Sequence, residues 1–255
     1  LSVVLVIISL IISGVFFGKD MIKASEIRGA VSQIESYNSA VKTFQLKYNG
    51  LPGDLTNAQA TDLGFYKVSY APYIGYPGYG DGNGIIRFGN GANYTPSAST
   101  YPYGEPFMFW RHLSDAALIN GNYGKNLNTA AESGAVAASA INTYFPAAKI
   151  GGGTVEVNNS GGKNHFLISN VTSLSGVGQH ATSSNPLTGQ ESYQIDIKID
   201  DGMPGTGIVF AIDGSLNLNS YTTWQNISAI SDCVTGTAYN TNSTLPACSL
   251  RIRFY

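Results

Sequence analysis

The chain opens on an apolar block that becomes an amphipathic helix without a break. Residues 1–18 (LSVVLVIISLIISGVFFG) hold no ionisable side chain, and Lys19 and Asp20 are the first charges. At a rise of 1.5 Å per residue the block spans about 27 Å as a helix, close to the hydrocarbon thickness of a bilayer. Beyond it Ile27, Val31, Ile34, Tyr37, Val41, Phe44 and Tyr48 recur three and four apart, while Arg28, Gln33, Glu35, Lys42 and Lys47 fall mostly between them. That period predicts a helix with one dry face. No proline precedes Pro52, so the two halves read as one helix of roughly 70 Å. Residues 1–18 project alone and can cross a membrane; residues 19–48 lie on a globular domain.

Residues 49–255 supply that domain. Residues 49–54 are a turn cluster and 55–63 a short helix. Residues 64–103 show little periodicity and many breakers, with Tyr70, Tyr73, Tyr76 and Tyr79 set among glycines and prolines, which describes a long surface excursion. Residues 105–120 read as a helix, with Phe107, Trp110, Leu113 and Ala117 on one face, Pro106 in the first turn and Gly121 as terminator. Residues 130–153 are ambiguous. From there the pattern becomes β: Val155 and Val157 alternate with polar neighbours, 165–171 is an apolar run, Tyr193 to Ile199 alternate with Gln194, Asp196, Lys198 and Asp200, 208–212 follows a glycine-rich turn, and Leu250, Ile252 and Phe254 alternate at the end. The expected fold class is α+β: a long N-terminal helix packed on an antiparallel sheet of about four to six strands. Residues 49–152 form a loop-and-helix insertion, and 153–255 the sheet and a C-terminal loop.

The segment LSVVLVIISLIISGVFFGKDMIKASEIRGAVSQIESYNSAVKTFQLKYNGLPGDL, with its Y-x-x-L-P-G-D ending (Tyr48, Leu51, Pro52, Gly53, Asp54), closely resembles the N-terminal helix of type IV pilins and type II secretion pseudopilins. The W-R-H-L-S-x-A-x-L-I-x-G pattern from Trp110 also resembles a recurrent segment of pilin-like proteins of Gram-negative bacteria. A secretory signal peptide fits less well, because the apolar block has no basic segment before it and no small-residue cleavage site after it. The resemblance implies a type IV pilin-like fold and a leader cut by a prepilin peptidase, with Leu1 lying about five residues after the mature start. It implies residence in the inner membrane, then extraction into a helical homo-oligomer at the cell surface by a pilus assembly machine with its motor ATPases. Leu1, Val4, Val6, Ile7, Leu10, Ile11, Val15 and Phe16 would then form the filament core. One departure from the family is the lack of a kinking proline after the apolar block. Ser9, Ser13, Gly14 and Gly18 are the weak helix formers instead, so 13–18 is the candidate for melting on assembly. The same small residues also suit close helix–helix approach.

Composition narrows the function further. With net charge −2 and 12% charged residues in a chain of 255, no basic excess marks a nucleic-acid surface. The 30 glycines and 16 tyrosines against 3 methionines describe a loop-rich exported surface. Cys233 and Cys248, the 2 cysteines, read as one disulfide closing a loop of about sixteen residues in an exported chain. Many type IV pilins close a C-terminal loop in this way. His112, His165 and His180 lie in different predicted elements, and no H-E-x-x-H, P-loop or G-x-S-x-G motif occurs, so no enzyme is expected and no cofactor. Asp196, Asp200 and Asp201 before Gly202-Met203-Pro204-Gly205 offer oxygen ligands of the kind Ca²⁺ takes, but equally an ordinary turn; Lys198, read as sharing a strand face with Asp196 and Asp200, would neutralise them. The run Asp81-Gly82-Asn83-Gly84 is a weaker version of the same pattern. Sequons at Asn93, Asn158, Asn170, Asn226 and Asn242 do not assign glycans. The leading expectation is a pilus subunit. A secretion pseudopilin or minor pilin shares its helix, and a membrane-anchored enzyme or carbohydrate-binding module is the distant alternative.

Overall fold

A computed structural model of the chain describes residues 2–65, 80–86, 105–124, 138–172, 183–213 and 231–254. Leu1, the Tyr70 to Tyr79 series, His180, Asn93 and Asn226 lie outside these. Helix α1 (Ser2–Tyr48) is continuous through both halves of the apolar pattern. Ile27, Ala30, Ile34, Tyr37, Val41 and Phe44 are buried on one face, as their spacing requires. The helix ends at Asn49, whose φ of 52° and N–H bond to the Gln45 carbonyl (2.9 Å) form a left-handed cap.

Helix α2 (Asn57–Asp62) begins in a capping box between Thr56 and Gln59. Helix α3 (Glu105–Asp115) buries Phe107, Met108, Phe109, Trp110 and Leu113. It stops earlier than the sequence predicts, and Gly121 is not its terminator. Ala117 adopts a φ of 54°, its N–H bonds the Ser114 carbonyl (3.0 Å), and the Leu118 N–H bonds that of Leu113 (3.0 Å). These two bonds close a Schellman cap, which Leu113 and Leu118 favour by both packing into the core. Ala117 therefore does not sit on the helical face expected for it.

The remaining elements are a 3₁₀ helix (Ala138–Thr143), β1 (Thr154–Ser160), β2 (Lys163–Val171), β3 (Ser183–Ser184), helix α4 (Gly189–Ile199), β4 (Val209–Asp213), β5 (Val234–Thr235), β6 (Ala238–Tyr239) and β7 (Cys248–Arg253). Strands β1, β2, β7 and β4 lie side by side in that order, all antiparallel, and β3 extends the sheet beside β2. The final strand is thus inserted at the centre. Val155, Val157, Phe166, Ile168, Leu250, Ile252, Val209 and Ala211 share one buried face. Tyr37 of α1 meets Trp110 edge-on (4.9 Å between rings) and Phe166 at 6.0 Å, while Phe166 stacks on Phe254 at 4.4 Å. The protein is therefore α+β, with a long apolar N-terminal helix and an antiparallel sheet.

The stretch read as a strand from Tyr193 to Ile199 is helix α4. Thr188 and Glu191 close a capping box around its first turn, with Oε2 of Glu191 accepting from the Thr188 N–H at 2.8 Å. The i, i+4 pairs Ile195/Ile199 and Ser192/Asp196 satisfy a helical period as well as an alternating one, and the cap decides between them.

Candidate functional site: the exposed helix half and its anchorage

The first turns of α1 are not covered by any other part of the protein among the described residues. Val4, Val6, Ile7, Leu10, Ile11, Val15 and Phe16 are all exposed, Leu10 at 67% and Phe16 at 65%, and so are Phe17, Met21 and Ile22. The most apolar stretch has a mean hydropathy of 2.1 with none of it buried, so this helix is long and apolar enough to cross a membrane. An isolated hydrophobic patch of a few hundred Å² already marks an interaction surface. Here the apolar surface runs all round a helix. Ser9 donates its hydroxyl to the Val6 carbonyl (2.9 Å) and Ser13 to that of Ser9 (2.8 Å), so neither brings an unmet polar group to a dry environment. Around Gly14 and Gly18 nothing lies within 4 Å of an added Cβ; the helix passes through 13–18 unbroken.

The exposed half is held in a fixed direction by side chains farther along α1. Gln33 donates from Nε2 to the Ala147 carbonyl (2.8 Å) and accepts at Oε1 from the Lys149 N–H (3.0 Å), pinning the strand approach to the helix. Lys23 pairs with Glu191 at 3.0 Å. Burial raises the carboxyl pKa of Glu191, but the Thr188 N–H and hydroxyl and the Lys23 ammonium more than offset it, leaving it below the usual range. At the far end, the Pro52-Gly53-Asp54 turn is a junction. The Gly53 N–H bonds Nδ1 of buried His112 (3.0 Å), and a Cβ at this φ of +87° would stand 2.5 Å from the Glu105 carbonyl, so only glycine fits. Asp54 accepts from the N–H groups of Gly82 (2.9 Å) and Gly84 (2.7 Å), while its burial raises its pKa. The structural roles of Gln33, Lys23 and His112 leave no signature in the sequence.

Two acidic triplets bring carboxylate oxygens within 4.8 Å of one another: Asp54, Asp81 and Glu105, and Asp196, Asp200 and Asp201. In the second, Asp196 accepts from Gly202 N–H (3.1 Å) and the Tyr239 hydroxyl (2.7 Å), Asp201 from Met203 N–H (2.9 Å) and the Thr206 hydroxyl (2.6 Å), and Asp200 from the N–H groups of Ile208 and Val209. Each carboxylate accepts from the turn between α4 and β4, and Asp196 also from Tyr239 of β6. Lys198 is not on a shared strand face with them, because α4 is a helix, and it points to solvent. Cys233 and Cys248 form a disulfide with Cα atoms 5.1 Å apart, linking the β5–β6 hairpin to the central strand β7.

The sheet face away from α1 is polar and also buried. Glu156 is driven up to about 7 by burial, which the Ser169 hydroxyl only partly opposes. His165 is driven down to about 3 by burial and then by the Arg251 guanidinium nearby. Arg251 reaches the Ser160 hydroxyl at 2.7 Å and lies over the Phe210 ring at 5.2 Å. These groups are not arranged as nucleophile, base and orienting carboxylate among the described residues.

Comparison with protein-family models, with curated proteins and with solved structures finds no match for this chain.

Proposed function

We propose that this protein is a pilin-like structural subunit, held in the inner membrane by the N-terminal half of α1 and then assembled through that half into a helical surface filament. One observation carries the reading: an apolar rod exposed on all sides continues, with no hinge, into an amphipathic stretch docked on an antiparallel sheet. A helix hydrophobic all round must be covered by lipid or by copies of itself, and one repeated heterologous contact that does not close builds a filament. Val4, Val6, Ile7, Leu10, Ile11, Val15 and Phe16 form the core, and Leu1 belongs with them by sequence. Its partners are other copies of this chain, the membrane before assembly and an assembly machine that extracts it. Its work is mechanical, not catalytic. The disulfide-closed C-terminal loop favours a surface pilus over a periplasmic secretion pseudopilus. The deciding experiment is electron microscopy of filaments sheared from expressing cells, with mass spectrometry of the purified fibre. Fibres made of this chain support the pilus; a chain that stays with the cell envelope in monomeric form overturns it.

A further inference from the structure

The face of α1 turned away from the globular domain carries a charge pattern that the anchorage does not use. At 100° per residue, Arg28, Glu35 and Lys42 fall in one stripe, drifting about 20° per seven residues and lying about 140° round the helix from the centre of the face that buries Ile27, Ala30, Ile34, Tyr37, Ala40, Val41 and Phe44. All three are exposed. None has an opposite charge three or four residues away on its own helix, and none forms an ion pair among the described residues. The stripe is flanked by small residues, of which Ser39 donates its hydroxyl to the Glu35 carbonyl (3.0 Å) and Thr43 to that of Ser39 (2.8 Å). Met21 and Leu46, 74% and 89% exposed, lie at its two ends on the same face. The surface runs directly on from the apolar half.

We propose that this stripe is a self-complementary seam whose occupant is a second copy of the same helix, and that it sets the axial offset between neighbours; the inference rests on the filament reading above. The signs alternate, plus at Arg28, minus at Glu35, plus at Lys42, every seven residues. A parallel copy displaced by one such interval, about 10.5 Å, brings its Glu35 level with Arg28 and its Lys42 level with Glu35. Copies in register, or displaced by two intervals, set like charge against like charge. The small flanking residues let the backbones approach, and the folded-back hydroxyls can be covered without losing a hydrogen bond. The apolar half drives association but slides easily; the charged half selects the register.

The test uses the full chain expressed for assembly, with two variants. Glu35→Lys makes the stripe uniformly positive and is expected to lower sheared-filament yield by about tenfold or more. The triple reversal Arg28→Glu, Glu35→Lys, Lys42→Glu inverts every sign, keeps the alternation, and is expected to restore yield to within about twofold of the parent. Melting of the detergent-extracted chains should be unchanged, since all three side chains are exposed. In assembled filaments, Arg28→Cys with Glu35→Cys should form intermolecular crosslinks on mild oxidation, and Arg28→Cys with Lys42→Cys should not. Parent-level yield from Glu35→Lys, or equal crosslinking by the two pairs, overturns the seam while leaving the filament intact. If the unaltered chain makes no filament, the seam falls together with the function it rests on.

Discussion

The Tyr239 hydroxyl donates to Oδ2 of Asp196 at 2.7 Å, tying the disulfide-closed C-terminal loop to the last turn of α4. Burial holds the Asp196 pKa up at about 6 despite this bond and that from Gly202, and burial with the neighbouring carboxylate raises that of Tyr239. Tyr239→Phe is expected to cost about 1–3 kcal/mol at pH 8, where the buried carboxylate is charged, and less at pH 5. Thermal melts at the two pH values measure the difference. An equal loss at both would mean that the hydroxyl acts independently of the Asp196 charge, and no loss at either that the ring alone stabilises the loop.

Glu156 makes the sheet sensitive to pH. Its folded-state pKa stands at about 7 against an ordinary 4.5, so the folded protein holds the proton more tightly than the unfolded one. The stability from this group is therefore complete below about 4.5 and lost as pH rises towards 7, a difference of roughly 3 kcal/mol. Glu156→Gln should remove this loss and make stability fall less with rising pH across that window, leaving the opposed contributions of His165 and Asp196. Urea denaturation from pH 4.5 to 7.5 decides it, and a variant with the parental slope would place the titration elsewhere.

Loss of the Cys233–Cys248 bridge should be costly because it frees the hairpin from the central strand. Cys233→Ser is expected to lower stability by about 3 kcal/mol and to reduce filament yield. Thiol labelling of the unreduced native protein should find no reactive cysteine; two labelled sites would contradict the bridge.

A charge in the exposed helix half should block assembly alone. Val6→Asp or Leu10→Asp puts a carboxylate into a dry bundle, which costs several kcal/mol unless it is paired. The domain should keep its melting temperature, since neither residue touches it. Normal filament yield from both variants would contradict a core built from this half.

The turn after α4 should respond to mutation and not to metal. Asp200 accepts two backbone N–H groups at the start of β4, so Asp200→Ala is expected to destabilise the domain by about 1–3 kcal/mol whether Ca²⁺ or EDTA is present. A Ca²⁺-dependent rise in melting temperature that disappears in Asp200→Ala would instead establish a calcium site.

The sequence by itself determined what depends on local period. The apolar run and the spacing from Ile27 to Phe44 specify the long helix and its dry face, because burial of a helical stripe requires residues three and four apart whatever the partner is. Alternation likewise marked β1 and β7, an apolar run marked β2, the stretch after a glycine-rich turn marked β4, and two cysteines left one pairing available within the chain. Tertiary structure decided wherever two local patterns compete. The alternating Tyr193 to Ile199 stretch is a helix because Thr188 and Glu191 cap it, and Ala117 ends α3 because Leu113 and Leu118 bury together. The uses of Gln33, Lys23, His112 and Asp54 depend on partners between 28 and 168 positions away in the chain. No window of sequence contains such contacts; they exist only once the helix, the turn and the sheet have packed.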